Sequence, residues 1–256
     1  MEIKVMTLNI WGYSPPWKTR RKLIVEEIEK NSPDIIGLQE VVSDPELDEE
    51  DRNQGEQIAS LLTGYNVVCC LRRPPGAERV RAGLAILSKY PFIGVSEADL
   101  TYSAQINPHP RPILGAVIEV EGKRIFFVTV HLSTHPPDRL IEAKELADFI
   151  ENYGKRLPTI VVGDFNEEPH EPVVQFMKGL KEINETKLCF RDAWEEAGSS
   201  ERGYTFKLPE PSLRIDYIFV DPRLKVLDCK IICSKPDVQG VYPSDHAGLL
   251  ARIELK

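Results

Sequence analysis

Short apolar runs alternate with helix-period segments along this chain, and the alternation repeats once. Residues 3–11, "IKVMTLNIW", alternate in polarity and predict a strand ending at the polar Asn9. The segment 19–33, "TRRKLIVEEIEKNSP", predicts a helix with Leu23, Ile24 and Ile28 on one stripe and Pro33 as its stop. "DIIGLQEV" (34–41) is then a strand that delivers Glu40. Later, "RIFFVTVHLS" (124–133) reads as a strand ending in His131. The helix over 138–155 places Leu140, Ile141, Leu146, Phe149 and Ile150 on its apolar side and stops at Gly154. "TIVVGDF" then delivers Asp164. Asn9 and Glu40 are 31 positions apart, and His131 and Asp164 are 33 apart. A further strand follows each unit, at 82–91 and at 214–222.

Two strand–helix–strand units of matching layout predict an α/β fold of two stacked sheets with helices outside. Their strand ends would pool polar residues at one rim. No linker, low-complexity tract or heptad run divides residues 1–256, so a single domain is expected.

Composition narrows the function classes. With 42% hydrophobic and 28% charged residues, the 256-residue chain has the make-up of a soluble globular protein. A net charge of −8 argues against a protein that coats DNA through a broad basic face. It leaves room for a phosphate-bearing substrate held by a local basic pocket or a bound cation. The five cysteines (69, 70, 189, 229 and 233) are odd in number and contain no C-x-x-C pair, which points to free thiols in a reducing compartment. No apolar run approaches the ~18 residues of a membrane span, and the chain opens on a strand pattern rather than a secretory leader. A cytoplasmic monomer with no membrane contact and no obligate protein partner is expected.

Three loops stand out. Residues 43–57 form an acidic stretch that reads as a solvated loop leading into a helix. "LRRPPGAERVRAG" (71–83) packs Arg72, Arg73, Arg79 and Arg81 around a turn; a solvated hairpin tip and a phosphate-contacting loop both fit it. "SAQINPHPRPIL" (103–114) is a proline-punctuated loop into a strand.

The chemistry-bearing residues at strand ends are Asn9, Glu40, His131, Asp164, Asn166, Asp216, Asp245 and His246. Carboxylates gathered at one rim repel and raise one another's pKa unless a cation lies among them. Oxygen ligands of this kind suit Mg²⁺, with Mn²⁺ as the alternative. The histidines are not spaced i, i+4 on one helix, and no G-x-S-x-G or P-loop pattern occurs, which disfavours zincins, serine hydrolases and P-loop enzymes. Taken singly, each piece has a bland reading: Asn9 a turn former, His131 a satisfied core histidine. The ordered set LN, LQE, VHL, GDFN, RIDYIF and PSDH, each at the end of an apolar strand, carries the signal.

That set resembles the endonuclease/exonuclease/phosphatase superfamily, which includes DNase I, AP endonucleases, sphingomyelinases, inositol-phosphate 5-phosphatases and deadenylases. The resemblance covers nearly the whole chain. It implies a four-layered α/β sandwich of two packed mixed β-sheets flanked by helices. It implies that Glu40 binds the metal, with Asn9 beside it and Asp245 close by. Asp164 would orient or deprotonate the attacking water, and Asn166 would donate to the scissile phosphate. His246 would be the catalytic histidine, oriented by Asp216, and His131 would match the second histidine of DNase I. The chain has "RAGLAILSKYP" and "LRIDYIFVD" where AP endonucleases carry other segments. It looks more like the DNase I, sphingomyelinase and general metal-dependent hydrolase branches.

The leading expectation is a Mg²⁺-dependent phosphodiesterase acting on DNA or RNA, with Arg72, Arg73, Arg79 and Arg81 contacting substrate. The alternative within enzymes is a phosphatase or phosphodiesterase of a small or lipid-like phosphate. A catalytically dead binding module should have lost one of Glu40, Asp164, Asp216 or His246, and all four are present.

Overall fold

A computed structural model describes residues 1–103, 110–154 and 156–255. Part of the proline-punctuated loop 103–114 and the end of the segment 138–155 lie outside the described residues. In chain order the elements begin β1 (Glu2–Asn9), α1 (Trp17–Asn31), β2 (Ile35–Ser43), α2 (Gln54–Ser60), β3 (Asn66–Arg72), β4 (Arg81–Ser88) and β5 (Phe92–Asp99). The middle of the chain supplies β6 (Pro112–Val120), β7 (Lys123–His131), α3 (Pro136–Gly154), β8 (Thr159–Asp164) and α4 (Pro172–Met177). Last come β9 (Arg191–Asp192), α5 (Ala193–Glu196), β10 (Asp216–Val220), β11 (Lys225–Ile232) and β12 (Gly248–Glu254).

The strands form two six-stranded sheets, ordered β11-β12-β1-β2-β4-β3 and β5-β6-β7-β8-β10-β9. Each sheet is mixed. β1 runs parallel to β2, and β7 runs parallel to β8, while their outer neighbours are antiparallel. The internal echo in the sequence is therefore structural: β1-α1-β2-β4 corresponds to β7-α3-β8-β10.

Val5, Ile86, Leu114, Phe127 and Val162 are among the apolar side chains that fill the space between the sheets. α1 and α2 cover the first sheet through Ile24, Ile28 and Ile58, and α3 and α4 cover the second through Leu146, Phe149 and Phe176. The result is the four-layered α/β sandwich. Close approach of the layers requires Gly37, where an added Cβ would lie 2.5 Å from Val162 Cγ2. Nearby, Gln39 Nε2 donates to Thr129 Oγ1 at 2.9 Å and ties the two sheets together just below the rim.

One expectation is corrected. Leu140 and Ile141 were expected on the apolar side of α3, but both are exposed. The first turns of α3 instead turn Asp138, Arg139 and Glu142 inward, where they meet backbone and polar partners rather than the sheet. The five cysteines are free, as expected, and Cys189 is exposed.

Candidate active site

Strand ends deliver the polar residues to one place. His131 ends β7 and Asp164 ends β8; the two are register partners in the parallel pair. Asp216 opens β10 directly opposite Asp164 in the antiparallel pair. Gly163 allows this packing: it sits at φ +146°, and a Cβ there would meet Val130 O at 2.0 Å. On the other sheet, Asn9 ends β1, and Glu40 projects from an irregularity in β2, with φ at 56°.

Asn9 joins the halves. Its fully buried Nδ2 donates to Glu40 Oε1 at 3.0 Å and to Asp164 Oδ2 at 3.1 Å, and its Oδ1 accepts Trp11 N–H. Asp164 is also held through Oδ1, which accepts Asn166 N–H at 2.9 Å. His131 Nε2 lies 3.4 Å and His246 Nε2 3.7 Å from Asp164 Oδ2. Asn166, at φ 50°, directs Nδ2 to Leu132 O (2.9 Å) and toward His131 Nε2 (3.1 Å). His246 Nδ1 pairs with Asp216 Oδ2 at 2.9 Å, and Phe206 packs against the imidazole. Ser244 Oγ fixes the approach of this loop by donating to Asn9 O and accepting from His246 N. All eight strand-end residues found in the sequence lie in or beside this cluster, with Asp245 adjoining His246.

The electrostatics raise both Asp164 and His246 above their ordinary values. Burial, reinforced by the facing Asp216 carboxylate, raises the Asp164 pKa, while His246 opposes the rise. For His246, burial disfavours the charged ring, but Asp216, Asp164 and Asp245 together outweigh it and lift the imidazolium to about 10. Burial likewise raises Asp245, with Glu40 adding to the effect.

The donor set fits a hard divalent cation. Asp216 Oδ1 and Asp245 Oδ1 are buried without a hydrogen-bond partner among the described residues. Orphaned carboxylate oxygens beside Glu40 and Asp164 are what an oxygen-ligated cation would satisfy. Asp164, Asp216 and His246 also lie within 4.8 Å of one another through one ligand atom each. A protonated imidazole offers no lone pair, so this second grouping is the less suitable cation site.

Several residues near the site were not singled out from sequence. Arg111 lines a cleft of about 270 Å³ together with Glu40, Val42, Ala82, Pro112 and His131. It donates to His131 O at 3.0 Å, its Nε has no hydrogen-bond partner among the described residues, and burial lowers its pKa. Arg20, 1% exposed, donates to the carbonyls of Ile10, Trp11, Gly12, Ser14 and Pro243. It thereby staples the loop after Asn9 to the loop before Asp245. Its signal was present in the sequence: Arg20, Ile24 and Ile28 share one helical stripe, and an arginine on an apolar stripe needs buried partners. The arginine hairpin is divided. Arg72 is held by Asp99 and Glu97 of β5, whereas Arg73, Arg79 and Arg81 are exposed.

Two packed mixed sheets with acids, amides and a His–Asp pair pooled at one rim define a phosphoesterase-type α/β sandwich. Residues 6–246 match the Endonuclease/Exonuclease/phosphatase family, and the chain belongs to that family. A putative neutral sphingomyelinase of Drosophila melanogaster is 26% identical over all of this chain, which spans 61% of that relative's length. Among solved structures, an endonuclease/exonuclease/phosphatase from Bacteroides vulgatus superimposes with a TM-score of 0.80 at 21% identity, with both chains fully covered. A mannosyl-6-phosphatase of Bacteroides thetaiotaomicron gives a TM-score of 0.78 at 19% identity, over 99% of this chain and 100% of its own. Among the described residues, no helix is long and apolar enough to cross a membrane.

Proposed function

We propose that residues 1–256 form one divalent-cation-dependent phosphodiesterase whose substrate is a nucleic acid. The observation that carries the phosphoesterase chemistry is the placement of Asp164 3.7 Å from the His246–Asp216 pair. Burial and the facing Asp216 raise Asp164 toward the range of a working base, while the surrounding carboxylates keep His246 protonated as an acid, and such a pair suits acid–base chemistry.

Glu40, Asn9 and Asp245 would hold the cation, Mg²⁺ or Mn²⁺, which supplies neutralisation of the phosphate oxygens when bound. The remaining work falls to the chain. Asp164, with both oxygens fixed by Asn9 and Asn166, orients the attacking water and accepts its proton. The His246 imidazolium, its Nδ1–H held by Asp216, points Nε2–H at a non-bridging phosphate oxygen. One N–H of the Asn166 amide is committed to Leu132 O, which fixes the direction of the other; that second N–H points toward His131, where a phosphate oxygen would accept it. His131, 3.4 Å from Asp164, and Arg111 line the adjoining cleft, where they would contact the phosphate oxygens.

Exposed Arg73, Arg79 and Arg81 favour a polyanion: Arg81 leads directly into Ala82, Gly83 and Leu84 of the cleft wall. A small phosphate ester is the second reading, favoured by the compact cleft in which Arg111 supplies a half-buried cation. The test is a substrate panel of single- and double-stranded DNA, RNA, an abasic duplex, sugar phosphates and phosphorylated inositols, with Mg²⁺ or EDTA. Turnover confined to the small esters would replace the nucleic-acid reading.

A further inference from the structure

The segment that leaves β7 is held at each residue from His131 to Thr134. His131 O accepts from Arg111, and Leu132 N donates to Asp164 O. Leu132 O accepts the Asn166 amide. Beyond these, two side chains of α3 grip the next peptide groups. Glu142, fully buried, accepts Ser133 N–H through Oε2 at 2.6 Å. Arg139, 5% exposed, donates Nη1 to Ser133 O at 3.1 Å and to Thr134 O at 2.9 Å. Arg139 Nε also lies 3.5 Å from Glu167 Oε1, and Glu167 is the residue after Asn166.

These are costly groups to bury. A carboxylate and a guanidinium inside a protein are retained only where partners compensate them. Here the partners are backbone atoms of the loop after His131 and, for Arg139, the Glu167 carboxylate in the loop that carries Asn166. Leucine at 142 would have packed without desolvating a charge. One Glu142 oxygen has no hydrogen-bond partner among the described residues, and burial raises its carboxyl to about 7, so burying this acid carries a cost.

We infer that Glu142 and Arg139 are positioning residues for the phosphate site: α3 grips residues 133–134 so that Leu132 O holds the Asn166 amide at its working angle. The reach runs Glu142 to Ser133 N–H, along one peptide to Leu132 O, and from there to Asn166 Nδ2. This inference rests on the reading of Asn166 as a phosphate donor. Misplacing such a donor by a fraction of an ångström costs rate rather than affinity.

The experiment is a double-mutant cycle on bis(p-nitrophenyl) phosphate with Mg²⁺, combined with ¹⁵N NMR of the asparagine side chains. Glu142→Leu removes the acceptor, and Glu142→Gln keeps one. The expected result is a fall in kcat of about tenfold or more for Glu142→Leu with KM little changed. Glu142→Gln should retain most of the rate. In the Asn166→Ala background, Glu142→Leu should produce no further loss, because its effect passes through the missing amide. Equal losses in both backgrounds would overturn the inference and leave a structural role. The NMR arm stands apart from the phosphoesterase reading: the Asn166 side-chain signal, identified by its absence in Asn166→Ala, should move in Glu142→Leu and stay in place in Glu142→Gln. An unmoved signal overturns the inference even where no substrate is turned over. If Glu142→Leu fails to fold, Arg139→Met takes its place in both arms under the same criteria.

Discussion

Asp164 and Asp216 face each other across the antiparallel pair β8–β10, each 1% exposed, and the His246 imidazole is the cation that lies between them. Like charges directly opposite in a sheet are unfavourable, so the pair persists only with a positive charge at hand. The His246 charge therefore stabilises the buried carboxylates and is in turn available to a phosphate.

The pH dependence follows from these signs. Because His246 is raised to about 10, it remains a donor through neutral pH, and activity should fall only as pH climbs toward that value. Because burial and Asp216 raise Asp164, the acid limb should lie above the ordinary carboxylate range of about 4. Asp216→Asn removes the carboxylate that does most to favour the imidazolium, so the alkaline limb should move down by about one pH unit or more. The same pairing contributes stability that is fully present below the unfolded histidine value of about 6.5 and is lost as pH rises toward 10. A kcat/KM profile of both proteins checks the limbs; an unshifted alkaline limb in the variant would remove His246 from the acid role.

Glu40→Gln should raise the Mg²⁺ concentration needed for half-maximal rate while sparing the rate at saturation more than Asp164→Asn does. Its amide keeps one oxygen but gives up the charge that attracts a hard cation. Metal titration at fixed substrate reads this directly, and an unchanged half-maximal concentration would move the cation away from Glu40.

Arg20→Met should destabilise the fold by roughly 3–5 kcal/mol, because it leaves carbonyls of two loops without their shared donor. The guanidinium sits between Trp11 and Trp17, 5.1 and 5.4 Å from their rings, so packing is lost as well. Urea unfolding measures the loss; a change below about 1 kcal/mol would contradict the staple.

The arginine hairpin separates the two substrate readings. Arg79→Ala/Arg81→Ala should flatten the salt dependence of KM for a nucleic acid by about one slope unit per lost phosphate contact. Arg72 is unsuited to this test, since Glu97 and Asp99 already engage it. Identical slopes would favour the small phosphate ester.

The strand ends were readable because polarity changes abruptly where an apolar run stops, as at Asn9, Glu40 and Asp164. The repeat of strand, helix and strand then placed the ends together. What escaped was of two kinds. Arg111 belongs to no periodic element, and its meaning arises only when β6 pairs with β7 and brings it to His131 O. Arg139 and Glu142 sit within a helix whose apolar positions suggested a plain amphipathic face. Their burial depends on the backbone of the loop that precedes the helix, at Ser133 and Thr134, which local periodicity does not encode. The misassigned Leu140 and Ile141 follow from the same cause.

The central claim is that Asp164 serves a cation-dependent hydrolysis of phosphate esters. Its most direct test is turnover of bis(p-nitrophenyl) phosphate by the wild-type protein and by Asp164→Asn, each with Mg²⁺ and with EDTA. The expected result is turnover by the wild type that EDTA abolishes, and a kcat lower by about 10²–10⁴ in Asp164→Asn at unchanged thermal stability. Undiminished turnover in EDTA, or in Asp164→Asn, would contradict the account.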